Sequence, residues 1–365
     1  MSNGLLLLLR SGRLLKQYDA HAVLPVLPSI VQIAKKGIKE GFKEDFMKKV
    51  CVISIYLTEE RIKYIREACE AAGYEVAFFD NWEQAAEEAK DANIVCSPGP
   101  EALFGMKDLE WAHSTNAGAE PYVKSGLFDS GRVILTNSAG AYGLAMAEHV
   151  VMVTLMLFRQ MPEYMKIVSE RGWKQRLPIR SIYGSRVAIA GTGGVGSLVA
   201  KKMKALEAAE VIGFNRSGRE VEGFDKIYKI SEIDSHLGDL DLLVMCLPGT
   251  AETDGLLSEE RLGKLPETAY IVNVGRGKTI DQDALIDALN EGRIAGAALD
   301  VMYPEPLPKD HPLWTAKNCI ITPHSSGDTG LPYSVDNTFG IFCENVGRYA
   351  RGEELVNVVS VKDGY

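Results

Sequence analysis

Three side chains in the C-terminal part of the chain have the types and spacing of a proton-transfer site. Arg276, Glu305 and His324 stand 29 and 19 residues apart. A histidine can give a proton to a carbonyl oxygen, a carboxylate can hold the imidazole ring, and an arginine can bind an anionic substrate. The combination predicts reduction of a carbonyl compound by hydride transfer, and none of these steps needs a metal ion.

A glycine-rich turn, Gly191-Thr-Gly-Gly-Val-Gly196, offers a place for a dinucleotide. The G-x-G-x-x-G spacing is weak evidence alone, but here the apolar run Arg186–Ala190 predicts a strand before it, and Val195–Glu210 predicts a helix after it. In this context Gly193 lets a pyrophosphate approach the backbone, and the helix N-terminus presents free N–H groups to it.

The segment after the next strand, Glu210–Phe214, predicts which dinucleotide binds. An acid at this place would accept from the ribose 2′-hydroxyl of NAD. The chain has Asn215-Arg-Ser-Gly-Arg219 instead, with two guanidinium groups and no carboxylate. This composition favours the 2′-phosphate of NADP, with NAD still possible. A solvated surface turn would have the same composition.

Further apolar runs predict a parallel sheet that is covered on both faces, because they lack period-two alternation. They are Leu242–Cys246, Ala269–Val274, Ala295–Asp300 and Cys319–Thr322. Ligands gather at the carboxyl ends of such strands. Arg276, Glu305 and His324 each follow one of these strands, so the sequence places them at the same edge.

The motifs around these residues resemble those of the D-isomer-specific 2-hydroxyacid dehydrogenases. The resemblance covers roughly Met47 to Tyr365. Its motifs are Gly275-Arg-Gly277, Ala298–Pro308, Ile321-Thr-Pro-His324, Met146-Ala-Glu-His149 and Leu247–Thr253. Within the family, the chain is most similar to the glyoxylate/hydroxypyruvate reductases in its Glu-to-His spacing, its Asn-Arg-Ser sequence and its C-terminal Asp-Gly-Tyr.

The resemblance implies further roles beside those of the three side chains. It implies that Asp300 holds the nicotinamide carboxamide and that the backbone N–H groups of Ala117 and Gly118 cradle the substrate carboxylate. Asn116 and Glu120 replace the glycine and aspartate that are common in the family. Turn chemistry alone would also explain this loop.

The predicted dinucleotide contacts come from the glycine turn, the ribose segment and the loops after three strands. They are Gly191, Thr192, Gly193, Gly194, Val195, Gly196, Asn215, Arg216, Ser217, Leu247, Pro248, Thr253, Val274, Gly275, Arg276, Asp300 and His324. No residue is assigned to a metal.

We predict an α/β chain of two Rossmann-like or flavodoxin-like domains with parallel sheets and an active site in the cleft between them. Residues 47–144 with 327–365 would form the substrate-binding domain, and residues 145–326 the dinucleotide-binding domain. Residues 1–46 do not match this pattern and are interpreted as an N-terminal extension of uncertain order or as a translation start assigned too far upstream, with an organelle presequence as the alternative. A chain of 365 residues exceeds what one core usually supports.

Composition narrows the class of partner. A net charge of −9 without a basic cluster argues against nucleic acid. The leucine run near the N-terminus is too short to span a membrane. The six cysteines are scattered, which favours a reducing, cytoplasmic location. The resemblance to the family also implies a homodimer.

The resulting hypothesis is NAD(P)H-dependent reduction of a small 2-oxo acid, such as glyoxylate or hydroxypyruvate, to the D-2-hydroxy acid. The alternatives are a phosphoglycerate dehydrogenase-like enzyme, a non-catalytic dinucleotide sensor and a methyltransferase-like use of the glycine turn. An intact set of Arg276, Glu305 and His324 favours the reductase, because a sensor has no need of a proton donor.

Overall fold

The computed structural model describes residues 47–327 and 329–362. The predictions about residues 1–46 and about the C-terminal Asp-Gly-Tyr lie outside the described residues. The rest of the chain forms two parallel sheets with helices against both faces of each, as the apolar runs predict.

The smaller sheet has five parallel strands in the order β2-β1-β3-β4-β5, which is the flavodoxin-like order. Its strands are β1 (Lys49–Ile53), β2 (Glu75–Phe79), β3 (Ile94–Ser97), β4 (Trp111–Ser114) and β5 (Ile134–Asn137). The helices between them are α1 (Glu59–Ala71), α2 (Trp82–Glu88) and α3 (Glu120–Lys124). Thr58 caps α1 by accepting from the Arg61 N–H, which satisfies one of the free donors of the first turn.

The larger sheet has seven parallel strands in the order β12-β11-β10-β9-β6-β7-β8. Its strands are β6 (Arg186–Ala190), β7 (Glu210–Asn215), β8 (Lys226–Lys229), β9 (Leu242–Met245), β10 (Tyr270–Asn273), β11 (Gly296–Leu299) and β12 (Cys319–Ile321). Its helices include α6 (Gly194–Ala205), α7 (Glu259–Leu262) and α8 (Gln282–Glu291). Strand order reverses between β6 and β9, and a crevice at the carboxyl ends of two such strands is where open α/β sheets bind ligands.

Helices α4 (Gly143–Phe158) and α5 (Met161–Ser169) follow the smaller sheet, and α4 packs on α6 of the larger one. In the described part of the chain, no single helix is long and apolar enough to cross a membrane. The pair α4 and α5, bent by 64°, meets that length and composition test only when both helices are taken together.

The last helix, α9 (Pro332–Ala350), returns to the smaller sheet. Its Val335 and Phe339 are buried in one cluster with Val50 of β1 and Trp111 of β4. Beyond the helix, Val359 donates its N–H to Leu135 O of β5. The chain therefore leaves the smaller sheet after β5 and comes back to finish its core.

The predicted helix over Val195–Glu210 is wrong at its C-terminal end, because α6 stops at Ala205 and Glu210 already belongs to β7. Glu207 has a φ of 61°, the left-handed conformation that ends a helix. Residues 206–209, between α6 and β7, turn the chain back toward the sheet. Strand β8, which pairs with β7 from Ile212↔Lys226 onward, is absent from the sequence predictions because Lys226–Lys229 is short and half polar.

Candidate active site

His324 and Glu305 form a direct pair at the carboxyl edge of the larger sheet. The Nδ1 atom of His324 lies 2.8 Å from Oε2 of Glu305. The other carboxylate oxygen accepts from the Met302 N–H at 2.9 Å, which fixes the glutamate. Nε2 of His324 has no partner among the residues that the structure describes, and the side chain is 52% exposed. The ring is thus held at one nitrogen and open at the other, as a proton donor to a bound carbonyl must be.

The buried carboxylate of Asp300 holds the loop that carries His324. It accepts from the Thr322 hydroxyl at 2.6 Å and from the N–H groups of Ser325 and Ser326 at 2.9 and 3.0 Å. Burial raises the pKa of Asp300, but the hydrogen bonds from Ser326, Thr322 and Ser325 outweigh it and leave the pKa below its ordinary value. His324 has a φ of 53° and donates its N–H to the Asp300 carbonyl at 2.8 Å. Asp300 therefore shapes the site, and its predicted contact with the carboxamide stays a prediction.

Arg276 reaches across to the smaller sheet and pairs with Glu120. Its Nε donates to Oε1 of Glu120 at 2.7 Å, and its Nη1 donates to the Gly275 carbonyl at 2.8 Å. Burial raises the pKa of the Glu120 carboxyl, but the hydrogen bond and the charge of Arg276 outweigh it and hold the pKa below its usual value. Both N–H groups of Nη2 remain without a partner in the described part of the chain, so they stay available to an anion.

The free end of Arg276 lies over the loop that the sequence assigns to the substrate carboxylate. A Cβ atom on Gly118 would lie 2.5 Å from Nη2 of Arg276 and 2.5 Å from Oε2 of Glu120, so the ends of both side chains lie close against this glycine. Asn137 donates to the Ala117 carbonyl at 2.8 Å and fixes the peptide. Within residues 47–327 and 329–362, the N–H groups of Ala117 and Gly118 have no acceptor. Two backbone donors without an acceptor and the end of a guanidinium thus lie at the same loop.

A buried histidine, which the sequence predictions miss, supports this loop. The ring of His113 lies 2.8 Å from Oγ1 of Thr136 at Nδ1 and 3.1 Å from Oγ of Ser138 at Nε2, and Ser138 donates to the Ser114 carbonyl at 2.9 Å. Burial lowers the pKa of His113 to about 3, so the ring is neutral. The network joins the ends of β4 and β5. No sequence signal separates such a histidine from any other in a strand.

The glycine turn has the geometry that a pyrophosphate requires. A Cβ on Gly196 would collide with the Gly191 carbonyl, so helix α6 packs against the turn only because residue 196 is glycine. A Cβ on Gly193 would meet no atom within 4 Å, which means that the backbone there faces open space. Gly193 also caps α6 without a side chain, and the N–H groups of Gly194, Val195 and Gly196 have no acceptor among the described residues, so they are available to an anion. These residues fit a dinucleotide.

The ribose segment is a turn organised by Asn215. Its Oδ1 accepts from the N–H groups of Ser217 and Gly218, and its Nδ2 donates to Thr192 Oγ1 at 3.1 Å and to the Arg219 carbonyl at 2.8 Å. The amide group of Asn215 therefore holds the turn in its conformation through these hydrogen bonds and is not free to bind a ligand. Arg216, Ser217 and Arg219 are exposed on this turn.

The remaining predicted dinucleotide contacts lie near the crevice between β6 and β9, where the strand order reverses. They can offer a ligand mainly backbone groups. Thr253 donates its hydroxyl to the Pro248 carbonyl at 2.6 Å, which closes the loop that begins at Leu247. Leu247 and Val274 are 8% and 2% exposed, so their side chains belong to the core. Leu247 and Val274 can therefore present only their backbone N–H and C=O groups to a ligand.

A cavity of about 530 Å³ lies at the carboxyl edge of the smaller sheet. Thr115 and Asn116, directly before Ala117, line one wall, and Thr329, five residues after His324, lines another. Thr329 donates its hydroxyl to Tyr56 Oη at 2.6 Å. The sequence predictions do not include this cavity, because loops distant in sequence form its walls.

Comparison with known proteins agrees with this geometry. The family model described as D-isomer specific 2-hydroxyacid dehydrogenase, NAD binding domain, matches residues 151–326. Glyoxylate/hydroxypyruvate reductase A of Citrobacter koseri is 30% identical over 294 residues, which are 78% of this chain and 90% of that protein.

Solved structures are similar over nearly the whole chain. A D-isomer specific 2-hydroxyacid dehydrogenase family protein from Aeromonas salmonicida superposes with a TM-score of 0.74 at 31% identity, covering 87% of this chain and 100% of that one. The NADPH-dependent glyoxylate/hydroxypyruvate reductase of Sinorhizobium meliloti, in complex with NADP and sulfate, gives 0.71 at 26% identity, covering 87% and 100%.

Proposed function

The chain belongs to the D-isomer-specific 2-hydroxyacid dehydrogenase family, and from that premise we propose that it reduces a small 2-oxo acid to the D-2-hydroxy acid. The observation that carries the proposal is the 2.8 Å contact between His324 Nδ1 and Glu305 Oε2, with Nε2 left open. A dinucleotide sensor without chemistry would have no use for a histidine held in this way.

The reaction follows from the chemistry of three side chains. Arg276 and the N–H groups of Ala117 and Gly118 bind the substrate carboxylate and orient the ketone. The dinucleotide, when bound, supplies the hydride that the carbonyl carbon takes up. His324, held by Glu305, gives the proton of its Nε2 to the carbonyl oxygen, and the ring remains as a neutral imidazole.

We propose NADP as the preferred dinucleotide, with NAD as a weaker one. The exposed guanidinium groups of Arg216 and Arg219 on the turn after β7 support NADP, because they match a 2′-phosphate and the turn carries no acid that would repel it. The reductase from Sinorhizobium meliloti, whose structure contains NADP, is a neighbour of this chain.

A phosphoglycerate dehydrogenase-like activity is less favoured. A substrate that carries a phosphate needs cationic partners for it. The cavity lies beside the loop of Ala117 and Gly118, which we call the carboxylate loop. Its lining includes Asp80 and Glu101, and its described lining includes no lysine, arginine or histidine. The two carboxylates in the cavity lining would repel the phosphate group.

The domain boundaries, the assembly and the location are part of the same proposal. The packing of α9 on the smaller sheet supports a substrate domain of 47–144 with 327–365 and a dinucleotide domain of 145–326. Exposed apolar side chains on α4, α5 and the following segment support a homodimer. They are Met152, Leu155, Met161, Met165, Val168, Trp173, Ile179 and Tyr183. Six free cysteines agree with the reducing cytoplasm.

The test is steady-state kinetics with glyoxylate, hydroxypyruvate and pyruvate, each with NADPH and with NADH. We expect reduction of glyoxylate and hydroxypyruvate with higher kcat/KM for NADPH, and analysis of the product should give the D-enantiomer wherever it is chiral. The His324→Gln variant should lose about 10²- to 10⁴-fold in kcat while binding NADPH normally. No reduction of any of the three acids, or a fully active His324→Gln variant, would overturn the proposal.

A further inference from the structure

The cavity at the carboxyl edge of the smaller sheet lies next to the loop of Ala117 and Gly118. Asn116, which lines the cavity, is the residue before Ala117, and its Nδ2 donates to the Pro98 carbonyl at 2.8 Å. This hydrogen bond ties the loop after β4 to the loop after β3. An acid whose carboxylate lies on Ala117 and Gly118 therefore has the rest of its carbon chain within reach of the cavity.

The volume of the cavity is too large for the two acids that the family resemblance suggests. Glyoxylate has no side chain, and hydroxypyruvate has only a hydroxymethyl group. A water molecule takes roughly 30 Å³ of liquid, so about 530 Å³ has room for on the order of ten or more groups of that size. Cavities of this volume are typical of sites for much larger organic ligands.

The lining divides into an apolar floor and an acidic rim. Ile53, Val335 and Phe339 are buried and supply the floor. Asp80 and Glu101 are exposed carboxylates, and Glu101 lies over Gly99, where a Cβ would collide with its Oε2. None of the lining residues that the structure describes carries a positive charge.

We infer that this cavity receives the substrate side chain and that its acidic rim selects extended 2-oxo acids in the order cationic, neutral, anionic end group. The inference rests on the proposed reductase activity, since the same carboxylate loop holds the acid. The apolar floor takes the methylene stem, and Asp80 and Glu101 attract a cation or repel a second anion at its end.

The experiment uses three 2-oxo acids of similar length that differ in the end group. They are 2-oxo-5-(trimethylammonio)pentanoate, its neutral isostere 2-oxo-6,6-dimethylheptanoate, and 2-oxoadipate. The trimethylammonium group cannot cyclise onto the ketone. With NADPH at low ionic strength, we expect kcat/KM of the cationic acid to exceed that of the neutral one by about three- to tenfold and the anionic one to fall below it by a similar factor. Rim carboxylates are screened by water, so the factors are modest.

The variant Asp80→Asn/Glu101→Gln should bring the three acids within about twofold of each other. The matched control is Glu67→Gln/Glu87→Gln, which removes the same charge from exposed positions outside the cavity and should keep the wild-type order. Melting temperatures show that both variants are folded. Equal kcat/KM for the three acids in the wild-type protein, or an order that survives in the rim variant, would overturn the inference.

Glyoxylate separates the two proposals. If glyoxylate is reduced but none of the three extended acids is, the inference about the cavity is wrong and the reductase proposal stands. If neither glyoxylate nor any extended acid is reduced, the reductase proposal itself fails.

Discussion

At His324, one ring nitrogen contacts Glu305 and the other has no partner among the described residues, so the pair can be tested by removing the carboxylate. Glu305→Ala takes away the contact at Nδ1 that orients the ring. We expect kcat for reduction to fall about ten- to a hundredfold, because general acid catalysis needs a positioned proton donor, while the Kd for NADPH changes little. Steady-state rates and NADPH titrations check this. An unchanged kcat would remove Glu305 from the role of partner.

Glu120 is a positioning residue for Arg276, because it binds Nε and leaves Nη2 over Gly118. Glu120→Ala should raise KM for the 2-oxo acid about tenfold, since one charge-assisted hydrogen bond that aligns the guanidinium is lost. Glu120→Gln keeps an acceptor of the same size and should stay within about threefold of the wild-type KM.

The two variants at Glu120 separate alignment from charge, because kcat and KM are measured for each. If the glutamine variant is as impaired as the alanine variant, the charge rather than the alignment matters. If neither variant changes KM, the contact has no role in substrate binding.

Among the elements, the turn after β7 is the one that we expect to select the dinucleotide. Arg216→Ala/Arg219→Ala removes both guanidinium groups while keeping Asn215, whose side chain holds the turn to Thr192. We expect kcat/KM for NADPH to fall about ten- to a hundredfold and that for NADH to change little. The control Arg132→Ala/Arg351→Ala removes two exposed arginines of the smaller sheet's domain. Unchanged kinetics with NADPH would exclude these arginines from the site.

The elements of the larger sheet could be predicted because their signals are local. Each apolar run from Arg186–Ala190 onward became a strand, and the family and fold predictions are confirmed. The end of α6 was wrong because residues 206–209 contain no glycine or proline to mark it, although Glu207 adopts a left-handed φ.

The contacts that form the site could not be predicted from local signals. Glu120 lies 156 residues before Arg276, and His113 contacts Thr136 on the neighbouring strand and Ser138 just after it. Such pairs follow from how sheets and loops approach each other. The assigned roles of Arg276, Glu305 and His324 stay predictions until the variants are measured.

For the whole molecule, the exposed apolar face of α5 leads to a prediction about assembly. Met165 and Val168 are 59% and 68% exposed. Met165→Lys/Val168→Lys should convert a dimer of twice 39.9 kDa to a monomer, because buried lysines at an apolar interface have no partner. The control Phe104→Lys/Trp314→Lys changes exposed apolar residues elsewhere and should keep the dimer. Light scattering after gel filtration measures the mass, and a wild-type monomer would contradict the prediction.

The return of α9 to the smaller sheet has a consequence for the order in which the protein folds on the ribosome. Strands β1–β5 are the first strands to be synthesised, but 194 residues separate Asn137 from Pro332, the first residue of the helix that completes the core on one face of their sheet. At roughly 5–20 residues per second, about 10–40 seconds pass before that helix is even made. The seven-stranded part is continuous in the chain and is complete by Ile321. The smaller sheet is therefore the first to be synthesised and the last to complete its core, and until α9 is made the apolar face around Val50 and Trp111 has α1 but not α9 packed against it.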